Sequence, residues 1–100
     1  MNEKKYFVLK LIPPRPTFSQ DMNEEERAIM QQHVVYWKGL MNEGIAIAFG
    51  PVLDPAGVYG LGIVEVNDEE HIRALTKDDP AVSSGLNKIE ILPMLAVVKK

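Results

Sequence analysis

Cysteine is absent from this 100-residue chain. That excludes disulfides, thiolate nucleophiles and thiolate metal sites, and leaves the redox compartment open. A basic face is missing too. Lysine and arginine are scattered apart from Lys4-Lys5 and Lys99-Lys100, and the formal net charge is −3. No nucleic-acid groove and no partner at an anionic membrane are therefore expected. No apolar run approaches membrane-spanning length, and MNEKKYFVLKL lacks the long apolar centre of a secretion signal. A cytoplasmic protein is the expectation. Metal chemistry is poorly served as well, because His33, His71, Asp54 and Asp79 have no spacing that gathers three ligands. No cofactor is expected. What is present is ordinary for a globular protein, with 46% hydrophobic and 25% charged residues. One domain over residues 1–100 with one core fits that composition.

The most informative stretch is Asn23 to Gly44, NEEERAIMQQHVVYWKGLMNEG. Asn23 followed by Glu26 is a capping-box pattern, and Glu24, Glu25 and Glu26 suit the positive end of a helix dipole. Gly44 suits the far end as a C-cap. At about 100° per residue, Ile29, Met30, Tyr36, Trp37, Leu40 and Met41 fall within roughly 80° of His33. Arg27, Gln31 and Lys38 fall on the opposite side. His33 is thus aimed at whatever the helix packs against.

Around that helix the chain alternates. Tyr6 to Ile12 reads as a first strand stopped by Pro13-Pro14, and Pro13, Pro14 and Pro16 keep the next segment extended around Arg15. Ile45 to Phe49 is a short strand closed by Gly50-Pro51. Leu53 to Gly57 is a turn. Tyr59 to Val66 is a third strand whose glycines, Gly60 and Gly62, share one face, so a bulky neighbour is expected close to the backbone there. Asn67 with Glu70 repeats the capping-box pattern and opens a shorter helix to about Lys77, ended by Asp78-Asp79-Pro80. Ala81 to Gly85 is a compact or single helical turn. Lys88 to Val98 is a fourth strand, interrupted at Pro93. The tail at Lys99-Lys100 and the first few residues lie outside the apolar pattern and should add little stability.

The order β-α-β-β-α-β predicts an α+β fold, a ferredoxin-like sandwich with both helices on one face of a mainly antiparallel sheet. The other face is then uncovered. Tyr6, Val8 and Lys10 alternate with Phe7, Leu9 and Leu11, so apolar side chains point both ways. A homodimer packed through those sheet faces is the simplest remedy.

These residues resemble the YciI-like (YCII-related) domain family. The likeness runs in order over nearly the whole chain: the helix with an internal histidine (QQHVVYWKGLMNEG), the strand closed by glycine-proline (AFGPV), the glycine-bearing strand (YGLGIVEV) and the aspartate-proline of DDPAVSSGL. The resemblance implies a dimeric α+β barrel, two ferredoxin-like protomers packed sheet to sheet. It also implies an active site at His33 and Asp79. The chain departs from the family in two places. Ala81 stands where an aromatic often follows the aspartate-proline pair, and the PPRPTF segment lengthens the first connection.

Paired with Asp79, His33 would be fixed in one tautomer and could act as a general base. Read without the resemblance, a helical histidine facing a core is more often structural. Tyr36, on the same face, could donate to a substrate oxygen, or simply pack with its hydroxyl at the rim. Arg15 could contact an anion or be a solvated loop arginine. Ser83 and Ser84 could bind a ligand oxygen or belong to a solvated turn. Trp37 reads as packing, and His71 as an exposed residue of the short helix. Two functions fit. One is a small-molecule lyase or isomerase using His33 and Asp79 for proton transfer, with Arg15, Tyr36 and Ser83 as substrate contacts. The other is a non-catalytic dimeric module that holds a metabolite in the same cavity. For the enzyme, Asp79→Asn is expected to cost activity with little change in stability.

Overall fold

The computed structural model describes residues 3–99; Met1, Asn2 and Lys100 lie outside the described residues. The elements in order are β1 (Lys5–Ile12), α1 (Phe18–Asp21), α2 (Glu24–Asn42), β2 (Ala46–Val52), β3 (Tyr59–Val66), α3 (Glu69–Lys77), α4 (Pro80–Ser83) and β4 (Lys88–Met94). The sheet order is β2-β3-β1-β4, antiparallel throughout. This is the ferredoxin-like arrangement, with two short helices added to the expected pair. No helix among the described residues is long and apolar enough to cross a membrane.

Local chemistry accounts for the long helix. The Asn23 side chain accepts from the Glu26 N–H at 2.8 Å, and the Glu26 carboxylate accepts from the Asn23 N–H at 3.0 Å. Each bond satisfies an amide that the helix itself cannot pair. At the other end Gly44 has φ +80, a left-handed conformation that a side chain would strain. Helix α3 is capped one residue later than the Asn67–Glu70 pattern suggests. Asp68 is the N-cap, accepting from the His71 N–H, while Asn67 accepts from Lys4 Nζ at 3.0 Å.

The core lies between the helices and one sheet face. Phe7 and Leu9 of β1, Val64 and Val66 of β3, Trp37 and Leu40 of α2 and Ile72 of α3 pack together there. Both proline-bearing strands are edge strands. Pro51 of β2 sits opposite Gly60, and Pro93 of β4 opposite Phe7, so neither removes an interior ladder bond. Strand β2 therefore continues through Gly50-Pro51 instead of stopping at Phe49. Strand β4 ends at Met94, the partner of Tyr6, rather than reaching Val98.

The connection from β1 to α2 is a built strap. Phe18 is buried beneath it, and Arg15 ties it down. Arg15 Nη1 and Nη2 donate to the two Glu26 carboxylate oxygens at 2.9 and 2.8 Å, and Nε donates to Asp21 at 2.8 Å. Its guanidinium also lies 5.3 Å from the Phe18 ring centre. The pairing with Arg15, then the Asn23 N–H, lowers the Glu26 carboxyl from 4.5 to about 2. A depressed carboxylate stabilises the fold above its ordinary range and ceases to do so as pH falls through the folded value. Arg15→Met should therefore lower the melting temperature at pH 7, with the deficit shrinking from about pH 4.5 toward pH 2. Thermal melts across that range decide it. A deficit independent of pH would assign the loss to the packing of Arg15 on Phe18 instead.

Candidate functional site

Helix α2 presents Met30, His33 and Trp37 along one stripe, spaced by three and four residues. Opposite them, Asp79 is the N-cap of α4, and Pro80 occupies the first helical position where its missing N–H costs nothing. The backbone carbonyl of Asp79 accepts from the Val82 and Ser83 N–H groups. Its side chain accepts from the Ala81 N–H at 2.9 Å. A capping aspartate fixed in this way has little freedom left, and its carboxylate points at α2.

Three donors converge on that carboxylate. His33 Nδ1 lies 2.8 Å from Oδ2 and 3.0 Å from Oδ1, Trp37 Nε1 donates to Oδ2 at 2.8 Å, and the Ala81 amide takes Oδ1. Asp79 is only 1% exposed, and no fully buried side-chain polar atom among the described residues lacks a partner. Such complete satisfaction is what a buried carboxylate requires. An ionised carboxylate only accepts, so the Nδ1 facing it carries the proton of the neutral ring. Nε2 of His33 then holds the lone pair, and it has no protein partner among the described residues.

Trp37 reaches Asp79 because Gly62 lets it. A Cβ built on Gly62 would stand 2.7 Å from Trp37 Cζ3 and 2.8 Å from Cη2. The bulky neighbour expected over the glycine face of β3 is the indole itself. Beside it, Phe49 packs at 5.7 Å between ring centres, and His33 at 6.2 Å.

A cavity of about 260 Å³ opens against this group. Its walls come from the sheet (Leu9, Leu11), the strap (Phe18, Met22) and α2 (Met30, His33). Trp37, Phe49 and Asn87 also border it. The lengthened connection is thus a wall of the cavity rather than a remote insertion.

The structure brings His33 and Asp79 together and leaves the three expected substrate contacts elsewhere. Arg15 is engaged with Asp21 and Glu26 and does not line the cavity. The Tyr36 hydroxyl donates to the Leu75 carbonyl at 2.6 Å, satisfying the last turn of α3. Burial, then the charges of Asp78, Asp79 and Glu43, raise that hydroxyl above its ordinary value. Ser83 is exposed and contributes its backbone N–H to Asp79. His71 is half-buried instead of exposed, and its Nδ1 accepts from the Asn67 N–H at 3.4 Å. Among the described residues, no three of His, Cys, Asp and Glu come close enough to hold a metal ion.

Two residues of the site escaped the sequence reading. Trp37 counted only as packing, although a buried indole N–H needs an acceptor and that need was a usable signal. Asn87 sits between α4 and β4 and belongs to no periodic pattern. It is 5% exposed, its N–H donates to the Ala81 carbonyl at 2.9 Å, and its Nδ2 meets Met30 Sδ at 3.4 Å.

No curated protein matches the chain significantly. A crystal structure of NE2512, a protein of unknown function from Nitrosomonas europaea, is similar with a TM-score of 0.51 at 14% identity. The match covers 100% of this chain and 98% of that one, and at such identity it speaks to the fold alone. The sequence profile of the YCII-related domain matches residues 6–95, from the second residue of β1 to one residue past β4. With nearly the whole length matched, this chain belongs to the YCII-related domain family.

Proposed function

We propose that the protein is a small-molecule enzyme in which His33 acts as general base and Asp79 orients it, in a lyase- or isomerase-type reaction. One observation carries this reading. His33 offers an unpartnered Nε2 beside an apolar cavity, while its Nδ1 is held by a buried, fully bonded carboxylate. Nε2 would take a proton from a C–H or O–H of the bound molecule, and the Asp79 charge would stabilise the resulting imidazolium. Return of that proton to another atom completes an isomerisation. Departure of a leaving group from the neighbouring carbon completes an elimination.

Non-catalytic ligand binding is the second reading. It is favoured by the lining, which contains no Lys, Arg, Asp or Glu that could serve as a second acid or base. Deuterium exchange separates the two. Enolisable carbonyl compounds incubated with the protein in D₂O should include at least one whose C–H exchange is accelerated, with His33→Gln slowing it by about 10²–10⁴-fold. Equal exchange with the wild type and His33→Gln would leave only the binding module.

The protein is further proposed to act as a homodimer through the sheet face away from the helices. Ala48, Ile63, Val8 and Leu92 stand in register across all four strands on that face, and Leu92 is 52% exposed. An uncovered apolar row of this kind favours association. Sedimentation at micromolar concentration should give twice the 11.2 kDa chain mass, and Val8→Glu should halve it. A monomeric wild type would end this part of the proposal.

A further inference from the structure

Besides His33, the polar residues lining the cavity are Ser19, which is exposed, Tyr59, which is half-buried, and Asn87, which is buried. Asn87 is nearly buried, its Nδ2 is turned to the Met30 thioether, and its Oδ1 has no protein partner among the described residues. Every fully buried side-chain polar atom there is partnered. The unpartnered Oδ1 is therefore not fully buried, and Asn87 lines the cavity. Met30 lies one turn before His33 on the same stripe of α2, and Met30, His33 and Asn87 all line the cavity. Asn87 Oδ1 and, in the neutral ring protonated at Nδ1, His33 Nε2 are acceptors.

Charge is as telling as hydrogen bonding. No ionised side chain lines the cavity. Arg15, the nearest candidate on the strap, is committed to Asp21 and Glu26. Lys10 points to the other sheet face, with its Nζ 4.5 Å from the Tyr59 ring centre. A carboxylate, phosphate or ammonium group on a ligand would enter without a counter-charge, and burying an unpaired ion is costly. Size narrows the class further. At about 260 Å³ the space exceeds the ~150 Å³ apolar cavity that takes benzene and falls just short of the ~300–1,000 Å³ of drug-sized pockets.

We propose that Asn87 is a second ligand-positioning residue, and that the cavity selects an uncharged single-ring compound whose hydroxyl donates its one proton to Asn87 Oδ1, on the side of the cavity lined by His33. This rests on the reading that Nε2 of His33 faces the bound molecule. It does not require that a reaction follow, so a failure of catalysis and a failure of selectivity are read in different experiments.

Calorimetric titration with four probes of similar size tests it: benzyl alcohol, ethylbenzene, benzoate and benzylammonium. Wild-type protein should bind benzyl alcohol about tenfold more tightly than ethylbenzene, and the two ions at least a hundredfold more weakly than the alcohol. Asn87→Leu removes the acceptor and keeps the bulk. It should erase about five- to tenfold of the preference for benzyl alcohol while leaving ethylbenzene binding unchanged or tighter. A merely structural Asn87 would weaken the alcohol and the hydrocarbon alike, and that result would overturn its positioning role. Benzoate binding as tightly as benzyl alcohol would overturn the neutral class. So would an absence of binding by all four probes up to millimolar concentration. The wild-type panel decides the ligand class even where the variant fails to fold.

Discussion

Replacing Asp79 with asparagine is expected to destabilise the fold by about 2–4 kcal/mol, a large share of the stability of a domain this size. The reason is a count of donors. His33 Nδ1, Trp37 Nε1 and the Ala81 amide all point at two carboxylate oxygens. An amide has a single acceptor oxygen. If that oxygen faces Trp37 and His33, the amide NH₂ meets the Ala81 N–H. If it faces Ala81, the NH₂ meets Trp37, and His33 must shed its Nδ1 proton to accept. The second arrangement moves the histidine proton to Nε2 and abolishes the base. With His33 in its proposed role, Asp79→Asn is therefore expected to cost stability and proton transfer together rather than activity alone. Urea unfolding of the two proteins measures the first effect. An unchanged midpoint and slope would show that the Trp37 and Ala81 bonds add nothing net.

The second large effect belongs to Gly62, far from Asp79 in sequence. Gly62→Ala would place a methyl 2.7–2.8 Å from two carbons of the Trp37 indole. That ring is buried and rigid, so it must move, and its N–H leaves Asp79 as it does so. Overpacking of this kind costs about 1–3 kcal/mol, offset in small part by the better strand propensity of alanine. The same substitution at Gly60 serves as a milder comparison, since its Cβ would meet Leu11 Cβ at 3.1 Å, where a displacement of a few tenths of an ångström suffices. In a Trp37→Leu background the obstruction is gone and Gly62→Ala should become nearly harmless. Additive losses in that cycle would mean the glycine matters for some reason other than the indole. Trp37 is the sole tryptophan, so a shift in its emission would report the displacement directly.

His33 and Asp79 were legible in the sequence for different reasons. Helical periodicity aims His33 inward whatever it meets. The proline after Asp79 breaks α3 and starts α4, which turns the preceding side chain into a cap. Their partners were less legible because each depends on contacts between distant segments. Hydropathy counts Trp37 as apolar and passes over its N–H. Asn87 lies in a loop where neither a period of two nor of 3.6 applies. The consecutive caps Asn67 and Asp68 could not be separated by pattern, since both precede a helical run. In the structure Asp68 caps the helix, and Asn67 accepts from Lys4 instead. Helix α1 is four residues long in a proline-rich stretch, too short for periodicity to register. The strap was visible only as stiffness around Arg15. Its role as a cavity wall comes from Phe18 turning under and from Glu26, a helix-capping residue, also receiving the arginine.

The proton position on His33 is the measurement closest to the centre of this reading. The chain has two histidines, so long-range ¹H–¹⁵N correlation spectra of labelled protein, with His33→Gln to assign the signals, resolve the ring nitrogens individually. At neutral pH His33 should show its proton on Nδ1 and a bare Nε2, and the Nε2 signal should shift when benzyl alcohol is added. A proton on Nε2 with Nδ1 bare, or an imidazolium persisting across the neutral range, would contradict a general base held by Asp79.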